Sequence, residues 1–116
     1  MARDNEFHDY VMGDVLSDIT EITSRAMFGG WGIYKDKKIF ALIADGELFF
    51  KVGDSNRADY ESRGSRPFQY TNNGKTYSMS YWLLPEEIMQ DRDELVEWVE
   101  KAARVGGEQS QKKKRR

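Results

Sequence analysis

The glycine-rich stretch F-G-G-W-G, residues 28–32, is the part of this chain whose residue types could hold a ligand. Backbone amides of a glycine loop can bind phosphate groups, but that arrangement needs a helix to begin directly after the glycines. The residues after Gly32 predict a strand instead, and neither G-K-[ST] nor G-x-G-x-x-G occurs. We therefore interpret Gly29, Gly30 and Gly32 as a structural hinge, since glycine tolerates positive φ and close backbone approach.

Histidine and cysteine chemistry lack the residues they need in this sequence. His8 is the single histidine, and the chain contains no cysteine. Histidine catalysis requires an activated nucleophile with an orienting partner, and a zinc site requires several ligands. Because His8 lies one position from the apolar stripe of the first predicted helix, we interpret it as a surface residue. We expect no catalytic residue, no metal and no cofactor.

The clustered carboxylates are interpreted as residues of helix starts. Glu86 and Glu87 follow Pro85, where negative charge is favourable beside the positive end of a helix dipole. Asp91 and Glu94 have the spacing of a capping box. An enzyme with an acid pair drawn from distant positions stays as a third functional hypothesis, because such a pair needs no local motif.

The last five residues form an unbroken basic run, whereas the rest of the chain is acidic. Of the 18 lysines and arginines, five lie in this run, so 13 remain against 20 acidic residues. An acidic body repels phosphate, so we expect any nucleic-acid binding to be weak, non-specific and confined to the tail. A solubilising terminus and a targeting run are the other interpretations. The candidate nucleic-acid contacts are Lys112, Lys113, Lys114, Arg115 and Arg116.

Length and apolar content indicate one cytoplasmic domain. The chain has 116 residues, and its longest apolar run covers residues 39–44, whereas a membrane span needs roughly 20 apolar residues. The first residues lack the apolar core of a signal peptide. We expect no membrane contact, a domain over residues 1–105 and a disordered tail over residues 106–116.

Hydrophobic periodicity predicts a helix first and then alternating strands and helices. Apolar residues recur every three or four positions from Phe7 to Ile22, which predicts a helix that begins at Asp4 and frays over the β-branched residues 19–23. We then expect strands over 33–35, 39–44 and 47–52, a helix over 55–63 capped by Asp54 or Ser55, strands over 68–71 and 75–84, and a helix from 91 that ends at Gly106. The sequence thus predicts an α+β domain of order α-β(3)-α-β(2)-α, with helices packed on a largely antiparallel five-stranded sheet.

Aromatic residues are frequent in the predicted strands, and the simplest interpretation places most of them in the core. Strand alternation predicts that Phe49 and Trp82 point opposite to Phe50 and Tyr81. If helices cover only one face of the sheet, some aromatic residues stay exposed and could form an interface. The residues expected to be largely buried are Phe40, Leu42, Phe50, Met79, Tyr81, Trp98 and Val99.

Five segments together carry a resemblance to a known family. They are R-A-M-F-G-G-W-G-I-Y (25–34), K-I-F-A-L-I-A-D-G-E-L-F-F-K (38–51), P-F-Q-Y (67–70), M-S-Y-W-L-L-P (79–85) and D-E-L-V-E-W-V-E-K-A (93–102). With them the chain resembles the TfoX N-terminal domain family, the TfoX/Sxy group of competence regulators. The resemblance implies a fold similar to secretion chaperones, and it supplies no catalytic residues. The best-known members regulate natural competence in bacteria with the cAMP receptor protein and carry a further helical C-terminal domain.

The resemblance implies a non-enzymatic regulatory or protein-interaction module linked to bacterial transcriptional control. Its partner would be a protein such as a component of the transcription machinery, or a second copy in a homodimer. A small-molecule or nucleotide-binding domain is the alternative, which a pocket lined by Arg25, Trp31, Tyr34 and Lys51 would favour. The candidate binding residues of the family motif are Arg25, Met27, Phe28, Gly29, Gly30, Trp31, Gly32, Tyr34 and Lys51.

Overall fold

The chain begins with a short helix that widens and then ends. The computed structural model describes residues 5–27 and 30–114, without the side chains of residues 5, 27, 70–72, 77–79 and 108–114. Helix α1 spans Asn5–Tyr10 and continues as a wider π-helical turn over Val11–Val15. In that turn the amide of Leu16 donates to the carbonyl of Val11 over 2.8 Å. The prediction that this helix continues toward Ile22 is therefore wrong.

Residues 22–27 form a strand that the sequence reasoning missed. Strand β1 spans Ile22–Met27 and pairs antiparallel with β2, Gly30–Lys35, so that Arg25 lies opposite Gly32. Glu21, with a φ of 65°, precedes the strand. The two β-branched residues that open β1 suit a strand better than a helix. The sheet consequently has six strands, one more than predicted.

The other strands are those predicted, except that β2 begins at Gly30, three residues before the predicted start, so Gly30 and Gly32 lie within a strand. The sheet order is β1-β2-β3-β4-β6-β5, and each neighbouring pair is antiparallel. This arrangement confirms the α+β class and the antiparallel sheet. The remaining strands are β3 (Lys38–Ala44), β4 (Glu47–Lys51), β5 (Pro67–Asn72) and β6 (Lys75–Leu83).

Three of the strand connections are two-residue turns whose central residues both have positive φ. They are Asp36-Lys37, Asp45-Gly46 and Asn73-Gly74, as in type I′ hairpins. Glycine occupies the second position in two of these turns, whereas Lys37 occupies it in the first, with a φ of 70°. A left-handed conformation is unfavourable for a residue that carries a Cβ. The β2–β3 turn therefore holds more backbone strain than the other two.

The described residues contain three further helices. Helix α2 (Arg57–Glu61) follows β4, and α3 (Glu86–Met89) and α4 (Arg92–Lys114) follow β6. Asp91 caps α4 as predicted, because its Oδ1 accepts a hydrogen bond of 3.3 Å from the amide of Glu94.

The predicted cap of α2 is wrong. The residue before this helix is Asn56, which is buried and makes no side-chain cap bond. Its Oδ1 instead accepts the amide of Gly53 at 2.8 Å, and its Nδ2 donates to the carbonyl of Lys51 at 3.1 Å. Asn56 therefore closes the turn between β4 and α2, and Asp54 stays on the surface.

Helix α4 passes through the glycines at which it was predicted to end. A Cβ at Gly106 would overlap the carbonyl oxygen of Ile39, and a Cβ at Gly107 would lie 3.1 Å from the side chain of Lys38. These glycines thus allow the helix to lie directly against β3 instead of stopping it. The helix crosses the predicted boundary at residue 105, while the division into a domain and a disordered tail stays a prediction.

The helices bury their apolar residues on one face of the sheet. Val11, Tyr60, Ile88 and Trp98 come from successive helical segments and join one core cluster with strand residues such as Phe50. No helix in the described ranges is both long and apolar enough to cross a membrane. The predicted burial is confirmed for Phe40, Leu42, Phe50, Tyr81, Trp98 and Val99, while the side chain of Met79 lies outside the described residues.

Candidate functional site

The face of the sheet on which no described helix packs is the candidate interaction surface, and we call it the helix-free face. At its centre lie Leu42, Phe49 and Tyr81, which are 2 to 5% exposed. Half-buried apolar residues surround them, so the centre is dry and the rim is partly accessible. The central residues thus form a small second core, and the half-buried residues around it are the apolar groups that a protein partner could contact. The surrounding residues are Ile39, Ala44, Phe68 and Leu83.

Strand register assembles the centre of this face. Arg25, Gly32, Leu42, Phe49 and Leu83 are successive partners in one row that crosses β1, β2, β3, β4 and β6. Directly opposed residues of antiparallel strands point to the same side of a sheet. The row therefore runs from a charged edge at Arg25 to an apolar middle.

The same register corrects one detail of the sequence prediction. Phe49 points away from Phe50, and Trp82 points away from Tyr81, as strand alternation requires. However, Phe49 shares the helix-free face with Tyr81 instead of with Trp82, because Phe49 lies opposite Leu83 in the ladder. Spacing within one strand could not reveal this relation between two strands.

A bulge in β3 brings Ile39 to the helix-free face, where Tyr34 already lies by alternation in β2. Ile33 lies opposite Ala41, whereas Tyr34 lies opposite Ile39, so Phe40 is an extra residue in its strand. Phe40 and Ala41 both belong to the core cluster beneath the helices. A bulge re-aims neighbouring side chains, and this one leaves Tyr34 and Ile39 together on the other side.

Lys51 and Tyr81 form the polar contact at the centre of the face. The Nζ of Lys51 donates to the hydroxyl of Tyr81 over 3.4 Å and lies 4.7 Å from the centre of its ring. Burial raises the pKa of Tyr81 to about 12, and the nearby Tyr34 adds to the rise. The phenol thus stays protonated at neutral pH and can both donate and accept hydrogen bonds. A carbonyl or carboxylate of a partner would therefore meet the Lys51 ammonium and the Tyr81 hydroxyl in otherwise apolar surroundings.

One end of the face carries a cleft of about 310 Å³. Its floor includes Phe49 and Phe68, whose ring centroids are 4.9 Å apart in an edge-on arrangement. At its rim, Arg66 and Glu47 form an ion pair of 2.8 Å. The cleft combines an aromatic floor with a charged edge, so it extends the apolar centre toward the β3–β4 turn.

Trp31 lies on the opposite side of the sheet from Arg25, Tyr34 and Lys51. Its ring packs against the helix-side core and stacks on His8, with centroids 3.9 Å apart and planes 23° apart. The Nε2 of His8 forms a hydrogen bond of 2.8 Å with the hydroxyl of Ser24. The His8 side chain is only 16% exposed, so its interpretation as a surface residue is wrong. The imidazole helps to fasten α1 to β1 and β2.

The glycine hinge lies only partly within the described residues. Gly30 is buried, and a Cβ there would overlap the carbonyl oxygen of Ile43 on β3. Close approach to a neighbouring main chain therefore explains glycine at this position. Phe28 and Gly29, and the side chain of Met27, lie outside the described residues.

The basic run also lies at the limit of the described chain. α4 extends to Lys114, but the side chains of Lys112, Lys113 and Lys114 and all of Arg115 and Arg116 lie outside the described residues. Their contact with nucleic acid stays a prediction.

The clustered carboxylates serve helix ends and surface ion pairs. Arg63 contacts Glu87 at 3.2 Å and Glu94 at 3.1 Å, which links α3 and α4 to the segment after α2. Within the described part of the chain, Asn56 is the buried polar residue, and no three histidine or acidic side chains come together where a metal ion could bind.

Sequence reasoning did not select several residues that the structure brings to the helix-free face. Ile39, Phe68 and Leu83 all lie there. For Leu83 the signal was present, because it alternates with Trp82 and shares a strand face with Tyr81. For Ile39 and Phe68 there was none, because irregular pairing in β3 and β5 sets their direction.

Comparison with known proteins identifies the family of the chain. Residues 14–105 match the family described as the TfoX N-terminal domain. Over 87 residues the chain is 26% identical to DNA transformation protein TfoX1 of Aliivibrio fischeri and 22% identical to Protein Sxy of Escherichia coli K12. Each alignment covers 75% of this chain and 42% of the relative, so the chain spans less than half the length of these relatives. Since the family match extends from the π-helical turn after α1 to Val105 in α4, the chain belongs to the TfoX N-terminal domain family.

Proposed function

We propose that this domain is a non-enzymatic regulatory module that binds a protein partner through its helix-free face. The observation that carries the proposal is the one-sided packing of the sheet. The helices cover one face, while Leu42, Phe49 and Tyr81 form an apolar centre on the other. Aromatic and apolar centres with a polar rim are the usual anatomy of a protein interface. Arg25 and Lys51 supply polar groups on this face.

The relatives support a proposal for the process in which the module acts. One similar protein is named for DNA transformation, and we propose that this domain acts in bacterial control of DNA uptake at the level of transcription. The partner is then a cytoplasmic component of the transcription machinery, with a second copy of the chain as the competing occupant. Family membership supports this proposal.

Two rival functions have weaker support in the geometry. A small-molecule pocket built from Arg25, Trp31, Tyr34 and Lys51 would need all four on one side, and Trp31 lies on the other. An enzyme with dispersed acids would need a buried pair of carboxylates in a cleft, whereas the acids that line the cleft beside α4, Glu21, Asp36 and Glu100, are all exposed.

Matched substitutions in the native bacterium test the proposal. Tyr34→Ser and Leu83→Gln alter the helix-free face, and Val96→Gln alters an apolar side chain of α4 that is 40% exposed. We expect the two face variants to lose a crosslinked protein partner and to fail to restore transcription of DNA-uptake genes in a deletion strain. The α4 variant should retain both properties.

Thermal melts show whether each variant is folded. If folded face variants capture the same partner and restore transcription as well as the α4 variant does, the helix-free face is not the interface. If deletion of the gene leaves DNA uptake and its transcripts unchanged, the regulatory role is wrong.

A further inference from the structure

We propose that strand β1 is the contact through which two copies of this chain join their sheets edge to edge. β1 of one copy pairs antiparallel with β1 of the other around a twofold axis, so the same residues serve both copies. This surface is separate from the helix-free face, and the proposal does not depend on the function proposed above. It predicts a symmetric dimer with one continuous sheet built from two six-stranded halves.

The outer side of β1 is regular enough to accept another strand. β1 lies at one end of the sheet, and in the described part of the chain the strand that pairs with it is β2. All six residues of Ile22–Met27 have partners in β2 without a register shift. In an antiparallel ladder, alternate residues of an edge strand point their amides and carbonyls away from the sheet. These groups form a row that another strand can pair with.

The opposite edge of the sheet carries features that prevent strand addition. β5 begins at Pro67, which has no amide hydrogen to donate. Its ladder with β6 is irregular between Pro67 and Gln69. Proline and bulges are common means by which proteins block the edges of their sheets. β1 has neither, and it begins with the β-branched residues Ile22 and Thr23. The contrast indicates that β1 is the edge that accepts a strand.

The single charge of β1 selects the register of the pairing. Opposed residues of antiparallel strands share a face of the sheet, so the twofold axis must pass through a residue position instead of between two positions. An axis at Arg25 would oppose the two Arg25 side chains. An axis at Ser24 also pairs five residues of each strand, but it places Arg25 opposite Thr23, which is exposed. The Ser24 register therefore avoids the repulsion.

Helix α1 leaves room for the second copy. His8 of this helix bonds to Ser24 on β1 and stacks on Trp31 of β2, so α1 lies above these two strands. Because strands are spaced about 4.8 Å apart, a helix centred between β1 and β2 and its twofold copy have axes about 10 Å apart. Packed helices are separated by about 8–10 Å. The two α1 helices thus come into contact without overlap.

A second copy suits this edge better than an isolated peptide of another protein does. A peptide would add a strand alone, whereas a second copy also adds the contact between the α1 helices. The side chains match as well, because Ile22 and Ala26 meet on the helix side and Thr23 meets Arg25 on the other. Since the twofold axis is perpendicular to the sheet, both helix-free faces point the same way. One partner can then engage two faces at once.

Sedimentation equilibrium over a concentration series tests the dimer and its register. Thr23→Lys places a lysine opposite Arg25 of the second copy, whereas Thr23→Glu places a carboxylate there. The double variant T23K/R25E restores an opposite-charge pair at the same contact. Thr76→Lys and Thr76→Glu are the matched controls, because Thr76 is an exposed threonine in β6, a strand inside the sheet.

We expect the full chain to form a dimer whose Kd rises by about 2- to 30-fold in Thr23→Lys, because two cross-strand pairs in each dimer become repulsive. Thr23→Glu should lower the Kd, and T23K/R25E should associate more tightly than Thr23→Lys. Both Thr76 variants should match the full chain. Thermal melts show whether each variant is folded.

Hydrogen exchange of the full chain provides a measurement that needs no variant. The outward-pointing amides of β1 should gain protection as the concentration rises through the Kd, while those of β5 should not change. Protection of β1 that is independent of concentration would reject the edge contact.

Three sedimentation results would overturn the proposal. A full chain that stays monomeric throughout the series would reject the second copy and leave β1 to a strand of another protein. Equal dimerisation by Thr23→Lys and Thr76→Lys would assign the contact to another surface, such as the helix-free face. Failure of T23K/R25E to associate more tightly than Thr23→Lys would reject the Ser24 register.

Discussion

Tyr81 shows what burial on the helix-free face does to a single residue. Its pKa is raised to about 12 by burial and by the neighbouring Tyr34, whereas an unfolded tyrosine ionises near pH 10. As pH rises, the unfolded chain therefore loses this proton before the folded chain does. Below about pH 10, the contribution of Tyr81 to the free energy of unfolding is expected to be constant. Between about pH 10 and 12, this contribution should fall by up to about 1.4 kcal/mol per pH unit.

Urea titrations across this pH range measure the effect. Tyr81→Phe should decline less steeply than the natural chain, because one titrating group has been removed. Tyr60, whose pKa burial raises further, contributes a decline of the same sign in both proteins. Comparison at neutral pH isolates the separate loss of the contact between Tyr81 and Lys51. Parallel declines in the two proteins would show that Tyr81 is not shielded as the structure indicates.

At the scale of elements, α4 depends on a glycine that would normally weaken a helix. Gly106→Ala should raise intrinsic helix propensity by up to about 1 kcal/mol, yet its Cβ would overlap the carbonyl of Ile39. The strand backbone cannot move aside easily, so we expect a net loss of more than about 1 kcal/mol. Chemical denaturation measures this change.

Gly13→Ala is the matched control, because Gly13 also lies in a helical segment and a methyl group added there would have nothing within 4 Å. This substitution should be neutral or stabilising. The opposite signs of the two substitutions are the expected signature of close helix–strand contact. A stabilising Gly106→Ala would mean that α4 does not lie against β3.

These elements also show where sequence reasoning succeeds. Asp45-Gly46 and Asn73-Gly74 correctly predicted their hairpins, because glycine, asparagine and aspartate adopt positive φ more readily than other residues. β1 was missed because Ile19 and Ile22 continue the helical spacing of α1, and only pairing with β2 decides otherwise. Local signals cannot report such a long-range contact.

The candidate site was likewise predictable from the sequence only in part. The family motif gathered Trp31 and Tyr34 into one group, but they are three residues apart in β2, so strand alternation sends them to opposite faces. Gly106 likewise predicts the end of a helix from sequence alone, whereas the structure shows that it allows α4 to lie against the carbonyl of Ile39. Composition and motif therefore identified the residues of interest, while register determined which of them can act together.

At the scale of the whole molecule, one sheet supports two apolar layers of unequal depth. Leu48 is 1% exposed and belongs to the large cluster under the helices, whereas Leu42 is 5% exposed and belongs to the small cluster on the helix-free face. A buried Leu→Ala substitution costs about 2–5 kcal/mol, depending on how far the surroundings relax. Leu42→Ala is expected in the lower part of this range and Leu48→Ala in the upper part, because more of the fold closes around Leu48.

Both variants should unfold in urea through a single transition with an unchanged m-value, since the two layers share the same strands and cannot unfold separately. A loss below about 1 kcal/mol for Leu42→Ala would contradict its burial in β3. Two resolved transitions in either variant would show that the helix layer and the helix-free face are independent folding units. A single transition with the expected order of losses would establish that any partner on the helix-free face binds a surface supported by the entire domain.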